Sequence, residues 1–194
     1  MLQPLIDDEM AQRIIEVAEA IATTQGAHNV TVKAILRELG FTNRVFYNRF
    51  HNIREVLEIV YENTIQKVRE SIDIGIEDST EEGFFNAIKM IVEKSLILSY
   101  DEKMQLTQYV FENDSVTMSN YEWWTTQIKR LINYAKEMDY IRDIDTDAMS
   151  YSIWCFCRGF NADAVGRKLP KEEAVRCFRY SIGILLDGMR KKHD

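Results

Sequence analysis

Residues 28–54 decide the fold of this chain, and they read HNVTVKAILRELGFTNRVFYNRFHNIR. Apolar residues recur at three- and four-residue spacing after Thr31, which predicts a short helix with Thr31 as its N-cap. Gly40 is placed to end that helix, and Thr42 can cap a third helix that buries Phe46 and Phe50. Two short helices joined by a tight turn are typical of a unit whose second helix fits the DNA major groove.

The charge of this stretch differs in sign from that of the whole chain. The 194 residues carry a formal charge of −7, which taken alone argues against a nucleic-acid partner. Between residues 28 and 54, however, five basic residues stand against Glu38 alone, so the window carries +4 and the remainder −11. The basic residues are Lys33, Arg37, Arg44, Arg49 and Arg54. The local charge favours DNA, although a solvated basic face on a structural helix would give the same pattern.

The outer face of the third helix offers groups that suit a DNA groove. At about 100° per residue, its polar side chains lie opposite Phe46 and Phe50. Arg44 suits a guanine edge, Asn48 an adenine edge, and Val45 a thymine methyl group. Thr42, Asn43 and Tyr47 are placed to reach phosphates.

The rest of the sequence predicts an all-α chain. An apolar stripe from Met10 to Ile21 predicts a first helix, and Asn52 with Glu55 predicts the capped start of a fourth. Longer amphipathic helices are expected from Ser79 through Leu96, then over about 101–112, 115–136, 148–165 and 174–189. No segment is apolar for long enough to span a membrane, and acidic residues stand where a signal peptide needs basic ones, so we expect a cytoplasmic protein.

The last two predicted helices are apolar on most faces, which predicts that a second copy of the chain covers them. We therefore expect a homodimer. The candidate interface residues are Trp154, Phe156, Phe160, Phe178, Ile182, Leu185, Leu186 and Met189.

Catalytic chemistry has no visible basis in the sequence. No phosphate-binding loop, dinucleotide fingerprint or nucleophile elbow is present, so we expect no enzyme, no catalytic residue and no cofactor. Cys155 and Cys157 point about 200° apart on a helix with no histidine nearby, which disfavours a metal site. With Cys177, we expect them to be reduced, buried thiols.

Residues 14–57 resemble the N-terminal domain of the TetR/AcrR family of bacterial transcription regulators. The matching residues are an Ala-rich first helix ending Gln25-Gly26, then Val30-Thr31-Val32-Lys33, Gly40-Phe41-Thr42, Phe46-Tyr47-x-x-Phe50 and Glu55-Val56-Leu57. The resemblance implies a three-helix helix-turn-helix domain over residues 1–52 and a helical ligand-binding and dimerisation domain over 53–194, with about nine helices in all.

The resemblance also assigns roles to residues of this sequence. It implies phosphate contacts from Thr31, Lys33, Tyr47 and Arg49, and groove contacts from Thr42, Asn43, Arg44 and Val45. Three positions depart from the family pattern, namely Ile35-Leu36, Arg44 and Ile53. Ile53 replaces a lysine that would meet a phosphate, and the neighbouring Arg54 is the candidate to take over that contact.

Domains of this family often enclose a pocket, and the aromatic and Met-rich body suits a small apolar or aromatic effector. The candidate pocket residues are Phe84, Ile88, Met104, Tyr109, Trp123, Trp124, Tyr151 and Trp154. Asn161 and Asp163 could add polar contacts.

We therefore expect a ligand-responsive repressor that binds a near-palindromic double-stranded operator as a homodimer. An activator or architectural DNA-binding protein without an effector remains the main alternative. A helical-bundle enzyme and a protein-binding adaptor are the others.

Overall fold

The computed structural model describes residues 4–72, 80–101 and 118–191. Of these, residues 4–71 form one compact unit, here called the head unit, and residues 72–101 with 118–191 form another, the body unit. The sequence predicts a domain boundary after residue 52, whereas the head unit extends to Ser71. None of the described helices is long and apolar enough to cross a membrane.

The head unit contains four α-helices, and two side-chain caps fix where the first two begin. Asp8 accepts a hydrogen bond from the Ala11 N–H at 2.8 Å, and Thr31 accepts one from the Ala34 N–H at 3.1 Å, as the sequence predicts for Thr31. The helices are α1 (Glu9–Gln25), α2 (Val32–Leu39), α3 (Asn43–Tyr47) and α4 (Ile53–Ser71), with a 3₁₀ turn at Ala27–Asn29 between α1 and α2.

The head core lies where the apolar stripes of these helices meet. Ile14 of α1, Ile35 of α2 and Val56 of α4 are fully buried together with Phe46 and Phe50, as their periodicity predicts. The rings of Phe46 and Phe50 lie 5.5 Å apart, centroid to centroid. Burial of both rings fixes α3, which is too short to be stable alone.

The body unit contains α5 (Glu81–Asp101), α6 (Met118–Glu137), α7 (Thr146–Gly166) and α8 (Lys171–Met189). The hydroxyl of Thr80 caps α5 by accepting from the Gly83 N–H at 3.1 Å, while Ser79, the predicted start, lies outside the described residues. The described ranges thus hold eight α-helices and no strand, and most of the segment predicted at 101–112 lies outside them.

Two helix pairs form the body core. α6 packs on α7, where the buried Ser150 hydroxyl donates to the Thr125 carbonyl at 3.1 Å, and α5 packs on α8. Arg190 joins the end of α8 to the start of α5, because its guanidinium lies 4.1 Å from the Phe85 ring centroid and pairs with Glu81 at 3.1 Å.

The packing of the body unit buries some of the predicted dimer residues and leaves others partly exposed. Four of them, Phe178, Ile182, Leu186 and Met189, are buried within the core of a single body unit. They lie on the side of α8 that packs in that core, so the chain itself covers them. Trp154, Phe156, Phe160 and Leu185 stay partly exposed. Cys155 is exposed, contrary to the prediction that the thiols are buried.

Candidate nucleic-acid interface

The turn between α2 and α3 depends on the backbone of Gly40. Gly40 adopts φ 72° and ψ 27°, the left-handed region that glycine enters at little cost. Its own N–H and that of Phe41 both donate to the Leu36 carbonyl, at 2.9 and 3.2 Å. The chain therefore leaves α2 sharply and begins α3 three residues later, as a helix-turn-helix requires.

α3 is shorter than the sequence predicts, because it ends at Tyr47 rather than including Phe50. Asn48 still has helical backbone angles and donates to the Arg44 carbonyl at 3.1 Å. Thr42 occupies the N-cap position, yet its hydroxyl makes no capping hydrogen bond. The burial of Phe46 and Phe50, rather than a side-chain cap, thus holds the recognition segment in place.

Most of the predicted DNA-contact side chains of α2 and α3 are exposed. Tyr47 is 53% exposed and its ring packs edge-on against Phe46, so its hydroxyl end is free to reach outward. Val45 is partly buried. The exposed members are Thr31, Lys33, Thr42, Asn43, Arg44, Tyr47 and Asn48.

The cations of this region differ in how they are paired. Within the described ranges, Lys33 and Arg44 form no ion pair, whereas Arg37 lies 3.7 Å from Glu38. Arg54 donates to Glu58 one turn along α4 at 3.0 Å, with its side chain 77% exposed. Such exposed pairs contribute at most about 1 kcal/mol, so a phosphate can compete for Arg54.

Arg49 has a partner that the sequence pattern does not predict. Its Nε donates to Asp8 Oδ1 at 2.7 Å and its Nη2 to Asp8 Oδ2 at 2.5 Å, a bidentate ion pair. Its Nη1 donates to the Val45 carbonyl at 2.9 Å, and only 16% of the side chain is exposed. The structure thus places Arg49 inside the head unit rather than free to grip a DNA backbone.

Asp8 is the residue of this region that the sequence analysis missed. The hydrogen bonds from the Arg49 guanidinium and from the Ala11 N–H lower the pKa of the Asp8 carboxyl to about 2. An Asp just before an apolar helical stripe is a recognisable N-cap signal. Its pairing with a residue 41 positions away has no such local signal.

The six predicted pocket residues that the structure describes have different neighbours. Phe84 is buried and stacks on Tyr134 at 5.7 Å between centroids, while Ile88 packs at the edge of the body core. Elsewhere, Tyr121 contacts the rings of Tyr151 and Trp154 at 6.3 and 6.0 Å. Trp123 and Trp124 pack edge-to-face on α6, and Met104 and Tyr109 lie outside the described residues.

The two polar candidates of the body also differ. Asn161 is 7% exposed, and its side-chain oxygen has no hydrogen-bond partner among the described residues. Asp163 is exposed and pairs with Arg167 at 2.8 Å. An unpaired buried oxygen is costly, which makes Asn161 the stronger candidate for a polar ligand contact.

Residues 14–60, which include the whole helix-turn-helix, match the model of the bacterial regulatory proteins of the tetR family. The head unit is a TetR-family DNA-binding domain. The match extends into α4 and ends before the body unit, as expected if the family varies more in its body than in its head. No curated protein matches the chain significantly in sequence.

Solved structures extend the similarity in fold to nearly the whole chain. A TetR-family transcriptional regulator from Pectobacterium atrosepticum superposes with a TM-score of 0.73 at 14% identity, covering 96% of each chain. A structure described as a transcriptional regulator from Saccharomonospora viridis in complex with choline gives 0.72 at 16%, covering 96% of this chain and 100% of that one. SmeT, the repressor of the Stenotrophomonas maltophilia multidrug efflux pump SmeDEF, gives 0.69 at 16%, covering 94% and 91%. The chain has the all-helical fold of TetR-family regulators.

Proposed function

We propose that this protein is a transcriptional repressor that binds a near-palindromic operator as a homodimer and releases it when a small molecule binds the body unit. The exposed α2–α3 face of a TetR-family head carries the proposal. It combines free cations at Lys33 and Arg44 with groove-reading groups at Arg44 and Asn48, on a backbone fixed by buried rings. The activity is binding rather than catalysis.

The charge distribution supports DNA as the partner of this face. The window of residues 28–54 carries +4 while the remainder of the chain carries −11. The acidic remainder repels phosphate, and the basic window attracts it, so the recognition segment is the favoured contact. Two such heads related by a two-fold axis would meet successive major grooves about 34–36 Å apart.

A second copy of the chain is the proposed cover for the outward faces of α7 and α8. Tyr180 and Ile184 are 72% and 58% exposed, and they lie four residues apart on one face of α8. We propose that they form part of a contiguous apolar patch, the kind of surface that marks an interaction site. The partly exposed members of the predicted set, Trp154, Phe156, Phe160 and Leu185, are the proposed remainder of the interface.

The effector site is proposed for the aromatic group around Tyr121, Tyr151 and Trp154, with Asn161 as a candidate polar contact. A flat or apolar molecule suits such a lining. The similar S. viridis structure is a complex with choline, which supports a small-molecule site in a protein of this fold. A titration of the operator complex with candidate metabolites tests this part, because an architectural protein or an effector-free activator would keep its DNA throughout.

The sharpest test of the DNA face is Arg44→Ala, with Arg37→Ala as the matched control. Both side chains are exposed arginines of the basic window, but only Arg44 lies on α3. If Arg44 reads a guanine, its loss costs about 1–3 kcal/mol on the selected operator and relaxes specificity at one base. Arg37→Ala should weaken all duplexes alike, and only slightly.

The measurement is the affinity of each variant for the selected operator and for its single-base variants, at two or more salt concentrations. If Arg44→Ala lowers affinity equally on every duplex, Arg44 contacts a phosphate rather than a base. If neither variant changes DNA binding, the proposed face is wrong.

A further inference from the structure

We propose that Arg49 and Asp8 position the recognition segment for specific DNA binding, and that Arg49 is not itself a phosphate contact. The inference rests on the proposed DNA-binding function. Arg49 lies two residues after the last residue of α3, next to the C-cap Asn48, so a group that holds its side chain also holds the end of the segment that enters the groove.

The contacts of Arg49 join three parts of the head unit. Its guanidinium binds both carboxylate oxygens of Asp8, the N-cap of α1, at 2.7 and 2.5 Å. The same guanidinium donates to the carbonyl of Val45 within α3 at 2.9 Å. Its backbone carbonyl accepts from the Leu5 N–H at 2.8 Å. One residue thus ties α3 both to the start of α1 and to the segment that precedes it.

Most of the N–H groups of the Arg49 guanidinium already donate hydrogen bonds in these contacts. A bidentate pair with a carboxylate takes two N–H groups in fixed geometry, and the bond to Val45 takes another. With only 16% of the side chain exposed, the guanidinium would have to break the pair to reach a phosphate. Lys33, Arg44 and Arg54 are far more accessible for that purpose.

Two accounts of Asp8 predict opposite signs for one substitution. If the pair positions α3, neutralising Asp8 loosens the recognition segment and lowers specific affinity. If Asp8 only sequesters a cation that DNA would otherwise bind, neutralising it frees Arg49 and raises affinity for every duplex. Asp8→Asn distinguishes the two, because Asn is also a good N-cap and can keep the bond from Ala11.

Asp7→Asn is the matched control. It removes the same charge one residue away, and Asp7 is exposed and, among the residues that the structure describes, accepts a hydrogen bond only from the Gln12 side chain at 2.7 Å. Any general gain from removing an acid near DNA therefore appears in both variants. Thermal unfolding of each variant is measured first, and binding is compared at a temperature where both are folded.

We expect Asp8→Asn to weaken binding to the selected operator about tenfold relative to Asp7→Asn, the loss typical of one misplaced base contact. Non-specific affinity should change equally in the two variants, so the ratio of specific to non-specific binding falls only in Asp8→Asn. Arg49→Gln should show the same fall, and the double variant should lose no more than either single one.

Three outcomes would overturn the proposal. One is a gain in affinity on all duplexes in Asp8→Asn, with a salt dependence steeper by about one phosphate contact. Another is a specificity ratio equal to that of Asp7→Asn. The third is additivity of the two substitutions in the double variant. These outcomes differ from a failure of the proposed function. In that case the unsubstituted protein would itself show no sequence preference.

Discussion

Replacing Gly40 tests the turn that makes the head unit a helix-turn-helix. Gly40 has φ 72°, and no atom lies within 4 Å of the position that a Cβ would take. An added methyl group therefore meets no steric obstacle, and the cost of Gly40→Ala comes from the backbone alone. A left-handed L-residue costs about 1–2 kcal/mol. Because Ala also restricts the unfolded chain, about 0.4–1 kcal/mol of that cost is offset.

The net expectation for Gly40→Ala is a loss of about 1 kcal/mol from the free energy of unfolding of the head unit. For a cooperative unit of this size, that corresponds to a fall of about 4–8 °C in melting temperature. Gly40→Asn is the matched control, because Asn tolerates the left-handed region and should lose less than half as much. Calorimetry, supported by urea unfolding followed by circular dichroism, gives both values.

The relative stability of the two variants decides whether this backbone conformation is correct. If Gly40→Ala is as stable as the parent, or if the Asn variant is the less stable of the two, Gly40 is not left-handed in solution. The turn between α2 and α3, and with it the placing of the recognition segment, would then be wrong.

Three further predictions concern other residues of the chain. Because the pKa of Asp8 is lowered from 3.8 to about 2, its ion pair with Arg49 stabilises the protein above pH 3.8, and that stabilisation is lost as pH falls towards 2. Acid unfolding of Asp8→Asn should lack this step, and an unchanged acid profile would contradict it. Phe46→Ala should cost about 3–5 kcal/mol of head stability and Phe46→Leu much less, which urea unfolding measures; equal small losses would mean that the ring is not in the core. Cys157 is only partly exposed and desolvation raises the pKa of its thiol to about 12, so alkylation near neutral pH followed by mass spectrometry should modify it more slowly than the exposed Cys155. Equal labelling rates for the two thiols would refute that desolvation.

The head could be predicted closely because its determinants are local. The Thr31 cap, Gly40 and the spacing of Phe46 and Phe50 all act within a few residues, and each appears in the structure as the sequence predicts, whereas Thr42 makes no capping hydrogen bond. The exception is Arg49. Its pairing with Asp8 spans 41 positions, and no periodicity carries that information.

The body could be predicted only as a set of helices. Apolar residues on α8 indicate burial, but a sequence does not tell whether the cover comes from the same chain or from another copy. The structure assigns Phe178 and Ile182 to the chain's own core and leaves Tyr180 and Ile184 outside. The charge pattern does not distinguish the buried face of α8 from its exposed face, because charged residues stand next to buried and next to exposed apolar residues along the helix.

The proposed function requires that the α2–α3 face reads a DNA sequence as part of a two-fold dimer. Selection of binding sites from a random pool of duplexes, at moderate salt and with the intact chain, tests it most directly. We expect enrichment of a near-palindrome whose half-site centres lie about 10–10.5 base pairs apart or a multiple of that. Recovery of no common sequence would contradict it.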